Sequence, residues 1–216
     1  MQVGSNRQWT CLYYLNGQGN LREEETRHLS RLHTEGSSDD VQVVADLYRS
    51  DWKLTPKTFL RWVDEKLGLE KGVGLQVNED WRGRSTFVVR NGAQADSQTV
   101  AVSNSPVEGD SPSDWKVLKK FLVDSMQRYP AEHFALTVSS HGRPDHILTD
   151  RSGRSMELSD LRKAIGEAEQ ETGQSIEVLT LEACQVGRSP SLDQLHQVVP
   201  YIIASPETIR AGEAPH

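Results

Sequence analysis

Apolar residues in this chain gather in short unbroken runs, set apart by stretches whose apolar positions recur with helical period. Trp9-Thr10-Cys11-Leu12-Tyr13-Tyr14-Leu15, Val41 to Leu47, Phe134 to Val138, Ile176 to Leu181 and Val198 to Ala204 read as buried strands. Between them, Leu21 to Leu32 reads as a charged helix, and Thr55-Pro56 supplies a cap and a first-turn proline for a helix reaching Leu67. Trp115, Leu118, Phe121, Leu122 and Met126 form one stripe of a helix capped by Ser113 and stopped by Pro130. A further helix is expected from Ser159, with Leu161, Ile165 and Ala168 facing inward and Gly173 ending it. A short one is expected near Ser191 to Gln197. Ser85 to Arg90 and Gln98 to Val102 flank Asn91-Gly92 and suggest an antiparallel flap outside the core. Arg143 to Ser155 reads as a polar loop. Strands alternating with helices predict an α/β fold, a three-layer α-β-α sandwich around a mostly parallel sheet.

Composition narrows the function classes. At 216 residues the chain makes one sizeable domain. Its net charge of −7 gives no electrostatic reason to expect nucleic acid or anionic lipid as a partner. No apolar run approaches the ~20 residues that span a bilayer, and the first residues lack the apolar stretch of a signal peptide. Two cysteines near opposite ends of the chain make no disulfide framework, so a cytoplasmic setting is expected. Cys11, inside an aromatic strand run, is expected to be a small buried hydrophobe.

The candidate chemistry lies at two strand ends. Ser139-Ser140-His141-Gly142 follows one buried run and Glu182-Ala183-Cys184-Gln185-Val186-Gly187 follows the next. If the two strands are parallel neighbours, a thiol and an imidazole meet at the carboxyl edge of the sheet, where α/β folds place their chemistry. A thiolate is a strong nucleophile, and a nearby imidazolium favours it over the thiol. An imidazole also delivers a proton to a leaving amine. The backbone N–H groups of Gly142 and Cys184 are the natural donors to a developing oxyanion. No third residue stands out to orient the imidazole, so a dyad is expected. The remaining histidines lack ligand spacing, and no Cys/His cluster or calcium loop suggests a metal or other cofactor.

This pattern, a hydrophobic strand ending in His-Gly and a second ending in acid-Ala-Cys, resembles the caspase-like clan of cysteine peptidases. Trp9 to Gly17, Tyr129-Pro130-Ala131-Glu132-His133-Phe134-Ala135-Leu136 before His141-Gly142, and Ala204-Ser205-Pro206-Glu207 through Gly212 bring it closest to the clostripain family. The resemblance implies a caspase-like sheet and a thiol endopeptidase acting on polypeptides, with Cys184 and His141 as its dyad. It implies that Glu182, with Glu207 and Ser205, lines a pocket (S1) for a basic residue, Arg or Lys, just before the cut bond (P1). A carboxylate there favours a cation by direct pairing. It further implies activation by self-cleavage, with Arg143, Arg151 and Arg154 as candidate sites. Measured against that family, residues 52–102 look like an insertion carrying a short hairpin. The single 1–216 domain is expected to lack a C-terminal portion, which a further chain or partner subunit would complete.

Two other classes compete with this reading. Gly17-Gln18-Gly19 follows a strand, as in nucleotide-binding domains, but the third glycine of that fingerprint falls on Arg22. A non-catalytic binding or regulatory subunit of the same fold is the other alternative, and retention of both His141 and Cys184 argues against it.

Overall fold

The structure is a computed structural model that describes residues 7–49, 83–89, 100–103, 111–150 and 152–209. A seven-stranded sheet runs through its middle, in the order β10-β9-β5-β1-β2-β3-β4. β1 is Arg7–Gly17, β2 Val41–Arg49, β3 Gly83–Val89, β4 Val100–Ser103, β5 Ala131–Ser139, β9 Ile176–Glu182 and β10 Tyr201–Ala204. The strands from β10 to β2 are parallel, and β3 and β4 continue the sheet antiparallel. A second, three-stranded sheet is built from β6 (Gly142–Arg143), β7 (His146–Ile147) and β8 (Met156–Glu157).

Helices cover both faces, as the alternation of elements predicts. On one face α1 (Arg22–Glu35) lays Leu29 and Leu32 over Leu15, Val43, Ala45, Leu47, Phe87 and Val89. On the other, α2 (Trp115–Arg128) and α3 (Leu158–Thr172) close the larger core, with Leu118, Phe121, Leu122, Leu161 and Ile165 against Leu12, Leu136, Leu179 and Leu181. Each such side chain, fully buried, contributes about 1.5–3 kcal/mol by leaving water. α4 (Leu192–Leu195) leads into β10. The parallel strands therefore lie in the order 2-1-5-9-10, and the chain turns from one winding direction to the other between β1 and β5. At such a switch point a crevice opens at the carboxyl ends of the strands.

Several local expectations change. β3 pairs antiparallel with β4, as the expected hairpin does, but it also extends the main sheet: it pairs with β2 from Gly83 to Val89, and its buried Ser85, Phe87 and Val89 alternate as a sheet strand requires. The polar loop after His141 is partly ordered as the small sheet, because Pro144-Asp145 turns the chain so that Gly142 pairs with Ile147. Asp114 rather than Ser113 caps α2, its side chain accepting from the Lys116 N–H at 2.9 Å. Ser159 is not the cap of α3; that place is held by Glu157, to whose carboxylate the Ser159 hydroxyl donates. Cys11 is half-buried, and burial pushes its thiol up. The helix expected from Thr55 to Leu67 lies outside the described residues. Among the described residues, no helix is long and apolar enough to cross a membrane.

Candidate active site

β5 and β9 are parallel neighbours, with Ser139 opposite Glu182 in register. The pairing continues one step beyond the strands, where the Ser140 N–H donates to the Glu182 carbonyl at 3.1 Å. His141-Gly142 and Ala183-Cys184 thus leave the sheet side by side. Gly142 packs so closely that a Cβ built there would stand 2.6 Å from Ala183 Cβ and 2.9 Å from the Cys184 carbonyl oxygen. Any side chain would drive the two segments apart, so the absence of one sets their separation.

Directly after Cys184 the backbone turns sharply. Gln185 takes the left-handed conformation, with φ of 60°, and a single 3-10 turn, Val186–Arg188, follows. Few non-glycine residues adopt that conformation, and such residues concentrate at functional turns. The turn is anchored from outside by the segment after β10. The Gln185 N–H donates to the Glu207 carbonyl and the Gly187 N–H to the Ser205 carbonyl, at 3.0 and 2.9 Å. The same segment reaches the thiol, whose Sγ lies 3.6 Å from the Ile209 carbonyl oxygen. Asp145, at the tip of the β6–β7 turn, accepts from the Ser189 hydroxyl, which holds its carboxyl below the usual range.

The end of β1 and the 3-10 turn after it, Gly19–Leu21, support the histidine strand. Asn20 Oδ1 lies 2.7 Å from His141 Nε2. An amide oxygen only accepts, so in this arrangement Nε2 carries the proton and Nδ1 is left as the basic nitrogen. The Asn16 amide donates to the Ser140 hydroxyl and to the Thr149 carbonyl, both at 3.1 Å, fixing the strand exit from below. Neither asparagine follows a motif, and only the parallel pairing of β1 with β5 brings them here.

Beside Cys184, a cleft of about 340 Å3 opens between the ends of β9 and β10, lined by Thr180, Glu182, Ile203, Ser205, Thr208 and Ile209. Of the two carboxylates expected in a substrate pocket, Glu182 lines this cleft and Glu207 does not. Glu207 takes the Arg188 guanidinium at 2.6 Å on the surface. Burial raises the Glu182 carboxyl above its ordinary value, with the nearby His28 opposing that rise and Glu25 adding to it. The Ser205 hydroxyl donates to the Glu207 carbonyl at 3.3 Å and accepts its N–H at 3.1 Å.

Of the candidate cleavage residues, Arg143 lies on β6 and Arg154 shortly before β8. The Arg143 side chain is 3.5 Å from the Ser155 hydroxyl. The Arg154 N–H and side chain both bind Asp150, and Arg151 lies outside the described residues. Among the described residues, no group of three or more His, Cys, Asp or Glu side chains is disposed to hold a metal ion.

The family model described as the clostripain family matches residues 90–215. Among curated proteins no match is found. A secreted C11 cysteine protease from Bacteroides thetaiotaomicron, solved with an irreversible peptide inhibitor, superposes with a TM-score of 0.61 at 16% identity. It is matched over 94% of this chain and 49% of its own. An inactive zymogen C11 protease from Parabacteroides distasonis gives the same TM-score and identity over 98% of this chain and 52% of its own. This chain thus spans about half the length of the solved structures it resembles. The fold is shared with those structures, and with the family model covering more than half of its residues, the chain belongs to the clostripain family.

Proposed function

We propose that the chain is a cysteine endopeptidase in which Cys184 is the nucleophile and His141 the proton carrier. The observation that carries this is the contact of Gly142 with Ala183 and Cys184, which leaves the histidine and cysteine segments no room for a side chain between them. Sγ attacks the carbonyl carbon of the substrate peptide bond, and its electron pair displaces the carbonyl π electrons onto oxygen. The N–H groups of Gly142 and Cys184 are the proposed donors to that oxyanion. A pair of such donors pre-aimed at the developing charge is commonly worth about 3 kcal/mol each. Collapse breaks the C–N bond, the amine leaves with the proton held by His141, and a thioester remains. Water, losing a proton to the imidazole, then hydrolyses the thioester and restores the thiol. Asn20 acts by keeping the ring in the tautomer that presents Nδ1.

We further infer a preference for Arg or Lys at P1, read by Glu182 in the cleft beside Cys184. Glu207 joins this reading only if Arg188 releases it. Self-cleavage at Arg143, Arg151 or Arg154 belongs to the same proposal, since a site that takes a basic P1 accepts these residues. Tyr201 and Ile203 are 66% and 51% exposed on β10, beside the cleft, and support completion of the pocket wall by further polypeptide.

The test is cleavage of peptides that differ only at P1. Wild type should cut after Arg or Lys, and Cys184→Ala should remain folded while losing turnover by orders of magnitude. Cleavage unchanged in Cys184→Ala would overturn the assignment. So would a folded wild type, supplied with its complementing chain, that cuts no peptide.

A further inference from the structure

Glu25 and His28 stand one turn apart on α1, an element that contributes nothing to the catalytic edge itself. His28 nevertheless reaches the S1 carboxylate, and the Glu25 charge acts on it through space. Nδ1 of His28 lies 3.4 Å from Glu182 Oε2 and 3.7 Å from Glu25 Oε2. Glu25 is 2% exposed. One of its oxygens accepts from the Ser139 hydroxyl at 2.7 Å, and the other is buried without a hydrogen bond. Tyr13 of β1 meets the imidazole edge-on, ring centroids 5.7 Å apart. The charged and titratable groups facing His28 are therefore Glu25 and Arg31 of α1, Glu182 of β9 and Tyr13 of β1.

The cluster is short of positive charge. Arg31 is partly exposed and paired with Glu24 at 3.3 Å, so the buried part of the cluster holds two carboxylates and one imidazole; even protonated His28 leaves one carboxylate without a direct partner, and neutral His28 leaves both. Burying such charges without partners is costly, and a guanidinium or ammonium arriving at Glu182 would relieve that cost.

We propose that Glu25 and His28 are specificity-determining residues of the S1 site, with the His28 imidazolium competing against a basic P1 side chain for Glu182. Glu25 sets the strength of that competition by holding the imidazole in place. This deepens the basic-P1 reading above and rests on it. Burial works against the imidazolium, yet the neighbouring Glu25 and Glu182 carboxylates outweigh burial and Arg31 and raise its pKa above 6.5. Below that raised value Glu182 is already paired, and a P1 cation must displace His28. Above it His28 is neutral, and Glu182 is open to the incoming cation. Selectivity for a charged P1 should accordingly climb as pH rises through the His28 titration.

The experiment uses two peptides alike except for P1, arginine in one and its neutral isostere citrulline in the other, each assayed for kcat/KM between about pH 5.5 and 9, the range over which an imidazole titrates. The arginine-to-citrulline ratio cancels the titrations of His141 and Cys184, which both peptides share, and also cancels any difference in the folded fraction. In wild type the ratio should rise on the order of tenfold, the equivalent of one pKa unit of coupling. In His28→Gln it should start high and stay flat until Glu182 itself is protonated at acid pH. Glu25→Gln, which keeps the imidazole, should move the rise to lower pH, and it serves if the first variant does not fold. A flat wild-type ratio that still favours arginine would overturn this inference and spare the basic-P1 reading, as would a rise that survives His28→Gln. A ratio near unity at every pH would overturn both.

Discussion

Asn20 Oδ1 and His141 Nε2 lie 2.7 Å apart although 121 positions separate them in the chain. The hydrogen bond joins the turn after β1 to the end of β5 across the switch point of the sheet, and it engages one of the two imidazole nitrogens. Removing the acceptor with Asn20→Ala leaves ring and thiol in place but frees the tautomer and the ring angle. The expected result is a fall in kcat of about tenfold with KM nearly unchanged, a fraction of the 10²–10⁴ a proton carrier contributes. Asn20→Asp puts a negative charge against Nε2 and favours the imidazolium, so the imidazole-dependent limb of the pH–rate profile should shift upward.

Gly142→Ala tests the close approach of the two segments. The added methyl would need space already held by Ala183, Val186 and the Cys184 carbonyl. Overpacking of this kind costs about 1–3 kcal/mol, or roughly 2–4 °C in melting temperature for each kcal/mol in a chain of this size. Thermal melts should show that loss, and turnover should fall by more than the loss of folded protein accounts for.

Glu182 and Glu207 should separate cleanly in P1 selectivity. Glu182→Gln removes the carboxylate that lines the cleft, and the preference for a charged P1 should drop about 10–100-fold, as expected when a charge-paired side chain loses its partner. Glu207→Gln should change that preference little, because its carboxylate is 73% exposed and already carries Arg188. The exposed Arg188–Glu207 pair contributes at most about 1 kcal/mol to stability, so Arg188→Gln should leave the melting temperature almost unchanged. Peptide pairs and thermal melts read both effects.

Asp150 governs the stretch holding two of the candidate cleavage residues. Burial alone would raise its carboxyl, but hydrogen bonds from Ser152, Ser111, the Arg154 N–H and Ser113 outweigh burial and hold it well below the usual range. A depressed folded value means stability that is present above the ordinary carboxylate pKa near 4 and disappears as pH falls towards the folded one. Asp150→Asn should therefore destabilise the protein at neutral pH by about 1–2 kcal/mol, the lower range for hydrogen bonds to a charged group given its contact with solvent. The difference from wild type should vanish in acid, as urea melts across pH would show. The same variant should be nicked faster after Arg154, whose backbone Asp150 pins.

The elements that carry the site were legible because their signals are local. Phe134–Val138 and Ile176–Leu181 are continuous apolar runs, and continuous runs belong to strands buried on both faces. His-Gly after one and acid-Ala-Cys after the other were enough to put imidazole and thiol at one sheet edge. The supporting residues left no such trace. Glu25 and His28 sit in a helix whose remaining residues look like a solvated charged surface, and the packing of α1 beside Ser139 and Glu182 is what buries them. That the β3–β4 hairpin joins the core was hidden for a similar reason. A hairpin flap and an antiparallel sheet extension share the same alternating pattern, and only the fit of Phe87 and Val89 under α1 distinguishes them.

The pairing of β5 with β9 has a bearing on what a nicked molecule would look like. His141 and Cys184 lie on opposite sides of the 143–155 stretch in sequence, yet each hangs from a strand hydrogen-bonded to the other along its length. Cutting the covalent link between those strands removes no rung of that ladder, and both fragments keep their share of the same core. A protein severed there would migrate as one particle on a sizing column and come apart only in denaturant, so the number of bands on a denaturing gel and the number of species in solution would disagree.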